Sequence, residues 1–195
     1  TRIVGGWQIQ SRASVGGNLC NSSPAGDSLA PLLVLDARCR ITGIDGHREL
    51  PVAEFCTGPG RNVLARGELL VTLVFPPPTP ASGSAYERFI PRNEMDIAVA
   101  GVASWVQLDP AGDTIVAARV ALSAVAPTVR LAARAGEWLA GRPANEATFV
   151  TAGELAQEAA SPISDMRGTA GFRRHLVGVL TKRTLARAVA RARGE

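Results

Sequence analysis

The chain has few of the residues from which disulfide-bonded and metal-bound scaffolds are built. It contains three cysteines, Cys20, Cys39 and Cys56, an odd number with no C-x-x-C pair among them. This pattern argues against a disulfide framework and against a closed zinc site. We interpret the thiols as small buried hydrophobic groups. Because the sequence does not open with a basic segment followed by an apolar one, we also expect a reducing, cytoplasmic location.

Long apolar runs and lysine are scarce as well. No apolar run reaches the roughly 20 residues that cross a bilayer, so we expect no membrane insertion. The net charge is +4, but Lys182 is the only lysine, and much of the arginine lies between Arg173 and Arg193. Aromatic residues are not interleaved with these arginines and no nucleic-acid motif is present, so we expect no nucleic-acid partner.

Histidine is limited to His47 and His175. The opening TRIVGG resembles the activation junction of trypsin-like serine proteases, and Gly-Asp precedes Ser28. A hydrolase of that kind needs a histidine within hydrogen-bond reach of its serine and oxyanion-hole donors beside it. Neither histidine has the sequence context of that family, and Leu-Ala-Pro follows Ser28 instead of glycines. The sequence therefore argues against a protease.

Residues 14–28, SVGGNLCNSSPAGDS, are typical of a loop that binds phosphate groups. Gly16 and Gly17 lack β-carbons, so the backbone there can turn sharply and approach a ligand closely. Successive amides in such a turn bind phosphate oxygens, and the Asn18 side chain adds a donor. Asp27 can accept hydrogen bonds from ribose hydroxyls. From spacing alone, a dinucleotide site and a purely structural turn both stay open.

A proline-rich stretch, residues 75–84 (FPPPTPASGS), divides the chain in two. Three successive prolines can continue neither a helix nor a central strand. We therefore predict two domains, residues 1–82 and 83–195.

Both parts carry strand and helix patterns, and their order predicts an α+β fold. Turn residues separate paired runs of β-branched residues, which predicts an antiparallel hairpin in each part. Apolar residues recur every four positions in the last segment, for which Thr169 is a candidate cap. The predicted helices cover residues 28–35, 129–139, 151–159 and 170–192, and the predicted strands cover 37–42, 47–52, 69–75, 97–108 and 114–124.

Residues 9–27 closely resemble the second FAD-binding signature of the flavoprotein subunits of molybdenum hydroxylases, such as carbon monoxide dehydrogenase and xanthine dehydrogenase. The family pattern is roughly I-R-N-x-[AG]-[ST]-[IVL]-G-G-N-[IL]-x-x-[AG]-S-P-x-[AS]-D, and here Gln10 and Ser11 replace its Arg-Asn pair. Further landmarks of the family are matched at residues 55–60 (FCTGPG), 67–70 (GELL), 86–89 (YERF), 95–98 (MDIA), 125–128 (VAPT) and 166–176 (MRGTAGFRRHL).

The resemblance implies a fold and a cofactor, FAD. The fold would be the second lobe of a PCMH-type FAD-binding domain, followed by a C-terminal antiparallel sheet with a layer of three helices. Gly16, Gly17 and Asn18 would hold the pyrophosphate of FAD. No catalytic acid or base and no metal ligand is implied in this chain, since the flavin carries the chemistry.

The resemblance also implies contacts to the rest of the flavin nucleotide. Ser14, Asn21 and Asp27 would contact phosphate, ribityl or ribose groups, and Tyr86 and Arg88 would lie near the isoalloxazine ring. For the last two residues, packing between the lobes and a surface ion pair are the alternative interpretation.

The implied function is that of an FAD-binding, electron-transferring oxidoreductase subunit. A large partner subunit with molybdopterin would oxidise the substrate, and a small partner subunit with iron–sulfur clusters would pass electrons to FAD. NAD or another acceptor would then take them. The alternative is a non-catalytic assembly or regulatory module that keeps the fold and has lost FAD.

The sequence departs from the family in two respects. Members carry an earlier lobe with a first glycine-rich phosphate loop, which these 195 residues do not contain. We therefore expect half of an FAD site, in a piece of a longer flavoprotein or in a chain whose other lobe is a separate polypeptide. The family's usual lysine at the entry to the C-terminal domain is Arg88 here, which keeps the charge but changes the geometry.

Overall fold

The computed structural model describes residues 4–92 and 95–195, so the first three residues of TRIVGG lie outside the described part. In chain order the elements are α1 (Trp7–Gln10), α2 (Val15–Cys20), α3 (Leu29–Val34), β1 (Arg38–Gly43), β2 (Gly46–Pro51), a 3-10 turn (Val52–Glu54), β3 (Cys56–Gly58), β4 (Arg61–Asn62), β5 (Leu69–Val74), β6 (Ser82–Phe89), β7 (Ala100–Leu108), β8 (Ile115–Ser123), β9 (Arg130–Leu131), α4 (Ala133–Leu139), α5 (Glu146–Ala159) and α6 (Ala170–Arg193).

The N-terminal part, α1 through β5, contains an antiparallel sheet in the order β2-β1-β5. The predicted hairpin is confirmed as β1 and β2, which are joined at Gly46 with φ of 118°. A side chain at that φ would be strained, which explains the glycine. The inward residues of β1, Cys39 and Ile41, share one apolar cluster with α3 and with Ala103 and Trp105 of β7. The N-terminal part is therefore packed directly on the C-terminal sheet.

The C-terminal part contains a four-stranded antiparallel sheet in the order β6-β7-β8-β9. The predicted second hairpin is confirmed as β7 and β8. The sequence does not predict β6, because Ser82, Gly83 and Ser84 are typical of loops. In the structure all eight residues of β6 pair with β7 in unbroken register. The proposed division between residues 82 and 83 thus falls inside this strand, and we keep the two domains as a proposal.

Helices α4, α5 and α6 form the predicted layer on one face of this sheet. The predicted first helix is partly wrong, because its opening residues pair with β8 as β9 and α4 begins four residues later. Helix α5 begins five residues earlier than predicted, since Asn145 Oδ1 accepts the Thr148 amide at 3.0 Å. The cap of α6 is confirmed: Thr169 Oγ1 accepts the Phe172 amide at 3.2 Å.

Strand β6 contacts the helical layer with one face and the N-terminal part with the other. Successive side chains of a strand point to opposite faces. Ala85 is buried among the helices, and Glu87 forms ion pairs with arginines of α6. The alternate residues Tyr86 and Arg88 contact Asp27 of the N-terminal part. The face opposite the helices therefore carries polar side chains into the contact with the N-terminal part, and the candidate site lies there.

Candidate functional site

A cavity of about 610 Å³ lies between the N-terminal part and the C-terminal sheet. Its volume falls within the range of roughly 300–1,000 Å³ that small-molecule sites occupy. One wall is apolar and formed largely by α3, and the other carries polar side chains. The lining residues are Val4, Gln10, Ala13, Ser14, Val15, Asn18, Asp27, Ser28, Pro31, Leu32, Leu35, Phe75 and Tyr86.

The doubled glycine lies in a helix, so the predicted sharp turn at this point is wrong. Gly16 and Gly17 belong to the first turn of α2, and neither has positive φ. Ser14 caps this helix, its Oγ accepting the Gly17 amide at 3.0 Å. Within residues 4–92 and 95–195, the amides of Val15 and Gly16 form no hydrogen bond. Of these two residues, Val15 lines the cavity beside Ser14, and Gly16 does not.

The two glycines also keep this end of the helix narrow. A β-carbon added at Gly17 would lie 3.0 Å from Ser14 Oγ, the atom that caps the helix. At Gly16 the nearest atom would be Leu70 Cδ2 at 3.8 Å, an ordinary van der Waals distance. A side chain at Gly17 would therefore crowd the cap, whereas the space beside Gly16 would accept a β-carbon.

Asn18 joins the helix to the segment that follows it. Its Oδ1 accepts the Ser28 amide at 3.2 Å and the Ser28 hydroxyl at 2.6 Å. Its Nδ2 has no hydrogen-bond partner in the described part of the chain. The side chain thus fixes the start of α3 with its oxygen and keeps an amide donor at the cavity.

Asp27, Tyr86 and Arg88 form a cluster, here called the Asp27 cluster, where the N-terminal part meets β6. Arg88 Nη1 donates to Asp27 Oδ2, and the Tyr86 hydroxyl donates to Asp27 Oδ1 at 3.1 Å. The side chains of Arg88 and Asp27 are only 10% and 9% exposed, so the pair is buried and the predicted surface ion pair is wrong. Burial raises the pKa of Tyr86, and the negative charge of Asp27 raises it further.

Not every predicted site residue reaches the cavity. Ser14, Asn18, Asp27 and Tyr86 line it. Arg88 does not line the cavity itself but forms an ion pair with Asp27, which does. Gly16, Gly17 and Asn21 do not line the cavity, and Asn21 is exposed at the C-terminal end of α2.

Sequence reasoning missed the apolar wall of the cavity. Leu32 and Leu35 of the α3 segment and Phe75, the last residue before the prolines, form part of it. Only the proximity of Phe75 to a predicted strand end could have signalled its place. The arrangement as a whole suits a ligand with an apolar part and an anionic part, since one wall carries donors and the other aliphatic side chains.

Two further features are absent from the described residues, a metal-binding cluster and a membrane-spanning helix. Across residues 4–92 and 95–195, no group of three or more His, Cys, Asp or Glu side chains could hold a metal ion. In the same ranges, no helix combines the length and the apolar character needed to cross a membrane.

Comparison with known proteins identifies the class to which this arrangement belongs. Residues 1–78 match the FAD binding domain in molybdopterin dehydrogenase, and residues 84–188 match the CO dehydrogenase flavoprotein C-terminal domain. The chain therefore belongs to the CO dehydrogenase flavoprotein family, that of the FAD-binding medium subunits of molybdenum hydroxylases.

Individual relatives agree in sequence and in fold. The chain is 35% identical over 193 residues to a putative xanthine dehydrogenase FAD-binding subunit of Escherichia coli K12, with 98% of the chain and 65% of the relative aligned. It is 34% identical to the carbon monoxide dehydrogenase medium chain of Afipia carboxidovorans, with the same two shares. The crystal structure of a cyanide-inactivated Cu,Mo-CO dehydrogenase superposes with a TM-score of 0.90 at 32% identity, over 97% of this chain and 65% of that one.

The predicted α+β fold and the family resemblance are thereby confirmed. The chain spans 65% of the length of these relatives.

Proposed function

We propose that the chain is the FAD-binding, electron-transferring component of a molybdenum-containing hydroxylase or dehydrogenase. The observation that carries the proposal is the cavity of about 610 Å³ whose polar wall holds unpaired amide donors inside the family's second FAD signature. Bound FAD supplies redox chemistry, accepting electrons from one partner and releasing them to another. The protein's own contribution is to bind and orient it.

The donors at the start of α2 would hold the anionic part of FAD. Val15 and Asn18 line the cavity, so the Val15 amide and the Asn18 Nδ2 are available for phosphate oxygens, and the unbonded amide of Gly16 follows at the same helix end. Gly17 and Ser14 would act mainly by shaping this helix end, because the amide of one is bonded to the hydroxyl of the other. Ser14 Oγ can still donate its own proton to a phosphate oxygen.

The Asp27 cluster would meet the sugar and ring portions. An ionised carboxylate has about four acceptor positions, and the contacts from Tyr86 and Arg88 use one on each oxygen of Asp27. Acceptor capacity therefore remains for a ribose or ribityl hydroxyl. Arg88, held by its buried ion pair with Asp27, would place a positive charge near the isoalloxazine ring. Asn21, outside the cavity, would contact only a part of the nucleotide that extends past α2.

The partners follow from the same proposal. We assign a large molybdopterin subunit and a small iron–sulfur subunit as the source of electrons, and NAD or another acceptor as their destination. A cytoplasmic location accords with the three free thiols.

One observation favours the alternative, a non-catalytic assembly module. Both oxygens of Asp27 and the Oδ1 of Asn18 already have protein partners. The polar residues of the cavity could therefore serve only to join the N-terminal part to the sheet.

Flavin content separates these functions. The complex is purified with its partner subunits, and FAD per chain is measured from flavin absorbance. We expect one FAD per chain, and a strong loss in Asn18→Asp, because a carboxylate there repels the diphosphate. The matched control is Asn145→Asp, which makes the same change at the cap of α5 and preserves capping.

Two results would contradict the proposal. A wild-type complex without flavin would favour the assembly module. Full flavin content in Asn18→Asp would place the flavin outside this cavity.

A further inference from the structure

A second groove, of about 420 Å³, opens beside the large cavity. The two share Leu35 and Phe75 in their walls. We call it the arginine groove, after Arg119 and Arg191, which line it together with Trp105 and Ser84. The proposed function assigns nothing to it.

The sheet builds the floor of the arginine groove. Ser84, Trp105 and Arg119 lie directly opposite one another on β6, β7 and β8. Residues opposite each other in antiparallel strands point to the same face. The next row on that face contains Tyr86, so the groove and the Asp27 cluster are separated by two residues along a strand, about 7 Å.

Arg119 is held rigidly in this row. Its guanidinium lies over the Trp105 ring, 4.2 Å from the centroid. Its Nε donates to the carbonyl of Val34, at the end of α3, at 2.7 Å. The two terminal nitrogens have no hydrogen-bond partner in the described part of the chain. Because Nε already fixes the guanidinium, its two terminal nitrogens can both donate hydrogen bonds to one anion.

Arg191 approaches the same groove from the opposite face of the sheet. It belongs to α6, and its Nη1 donates to the Ser84 carbonyl at 2.5 Å across the edge strand β6. Gly83 makes this approach possible, because a β-carbon there would lie 2.1 Å from the carbonyl oxygen of Ala188 in α6. Two guanidinium groups from opposite sides thus converge on one groove.

The remaining walls are uncharged. No Asp or Glu lines the groove, and its outer side is formed by Phe75 and the prolines that follow it. Two arginines without an acidic partner favour an anion such as a phosphate. The apolar side adds a surface against which a flat ring can pack.

We propose that the arginine groove binds a nucleoside phosphate, separately from the flavin. Its phosphates lie between Arg119 and Arg191, and its ring lies along Phe75 and the prolines. The site needs no flavin for its own contacts, because none of its charged residues belongs to the Asp27 cluster.

The test uses ADP as the probe, titrated calorimetrically into the flavin-loaded complex, with pyrophosphate and adenosine as partial probes. We expect ADP to bind more tightly than either part, since each part lacks one half of the contacts. Arg119→Gln and Arg191→Gln should each weaken ADP binding about tenfold or more, the effect of losing a charged hydrogen bond. Flavin content should stay unchanged in both.

Arg183→Gln is the matched control. Arg183 is an exposed arginine of α6, paired with Glu87, and it does not line the groove. It should leave the affinity within twofold. Arg191→Lys keeps the positive charge but lacks the two parallel donors of a guanidinium, so it should bind ADP more tightly than Arg191→Gln and less tightly than the unchanged protein. If Arg191→Gln weakened binding only through a folding defect, no such recovery would be expected.

Three results would overturn the proposal. The first is that the wild-type complex does not bind ADP. The second is that Arg183→Gln weakens ADP binding as much as Arg119→Gln and Arg191→Gln do. The third is that ADP binds only after the flavin is removed. The last would mean that the flavin nucleotide itself extends into the groove.

Discussion

The two faces of the four-stranded sheet differ in what covers them. On the helical side, α6 approaches so closely that Gly83 has no room for a β-carbon, and the buried Ser104 and Thr184 hydroxyls bond each other at 2.8 Å. On the other side, two cavities lie against the sheet, one lined by Tyr86 and the other by Trp105. The same strands, through simple alternation, build a packed core on one side and binding space on the other.

This difference shows where polar groups are tolerated. The buried Ser104–Thr184 contact is small and uncharged, and it allows close packing. The most buried charges at the contact with the N-terminal part, Asp27 and Arg88, occur as a pair, because an unpaired buried charge would be costly. The cavity side therefore depends on the buried pair of Asp27 and Arg88, whereas the helical side combines close packing with the ion pairs of Glu87.

The largest expected effect is on the cavity side. Asp27→Ala removes the carboxylate to which Tyr86 and Arg88 donate, at a place where the Arg88 side chain is only 10% exposed. We expect the free energy of unfolding to fall by about 3–5 kcal/mol, as when one partner of a buried pair is removed. Urea unfolding of the complex, at unchanged m-value, measures it.

The control for this variant is an ion pair on the helical layer. Arg134 and Glu158 are 71% and 55% exposed, and Glu158→Ala should cost less than about 1 kcal/mol. Equal losses in the two variants would mean that the Asp27 cluster is open to water.

The next effect lies on the helical side. Gly83→Ala places a β-carbon against the backbone of α6, at 2.1 Å from the Ala188 oxygen. The helix must shift, and we expect a loss of about 1–3 kcal/mol in the free energy of unfolding. The same urea titration measures it.

Gly171→Ala is the matched glycine. It lies near the start of α6, and nothing stands within 4 Å of an added β-carbon. We expect stabilisation of up to about 1 kcal/mol, since alanine favours the helix more than glycine does. Equal destabilisation by both variants would mean that the close contact between Gly83 and α6 does not decide the Gly83 result.

Sequence reasoning predicted the elements whose signals are local. The β7–β8 hairpin has a turn rich in Pro, Gly and Asp between β-branched runs, and α6 has an apolar stripe and a Thr169 cap. Strand β6 has no such signal, because Gly83 is explained only by a helix 105 residues later in the chain, at Ala188. Its place in the sheet therefore depends on a long-range contact.

The candidate site also has features that the local sequence predicts and features that depend on long-range contacts. The segment around Gly16 and Asn18 was found from its residue types, although the glycines proved to be helical. The buried state of the Asp27–Arg88 pair and the placing of Trp105 against Arg119 depend on strand register and on how the two parts pack. No local pattern contains that information.

The smallest expected effect is a spectroscopic one. It is the shift in the pKa of Tyr86, which depends on how far water is excluded from the cavity side of the sheet. Tyr86 is the chain's only tyrosine, and burial followed by the charge of Asp27 raises its pKa above its ordinary value near 10. Because the folded state holds this proton more tightly, the group's contribution to stability is complete below about pH 10 and is lost as the pH rises through the folded pKa. The phenolate absorbance of the complex, minus that of Tyr86→Phe, isolates this titration. We expect a midpoint above 10 when folded and near 10 in urea.

Asp27→Asn sharpens this measurement, because it removes the charge and keeps the size of the side chain. Burial is the larger cause of the shift in the pKa of Tyr86, so the midpoint should move only part of the way back toward 10. A folded midpoint at or below 10 in the unchanged protein would mean that water reaches the phenol. The polar face would then be held together by hydration and not by the buried charge pair.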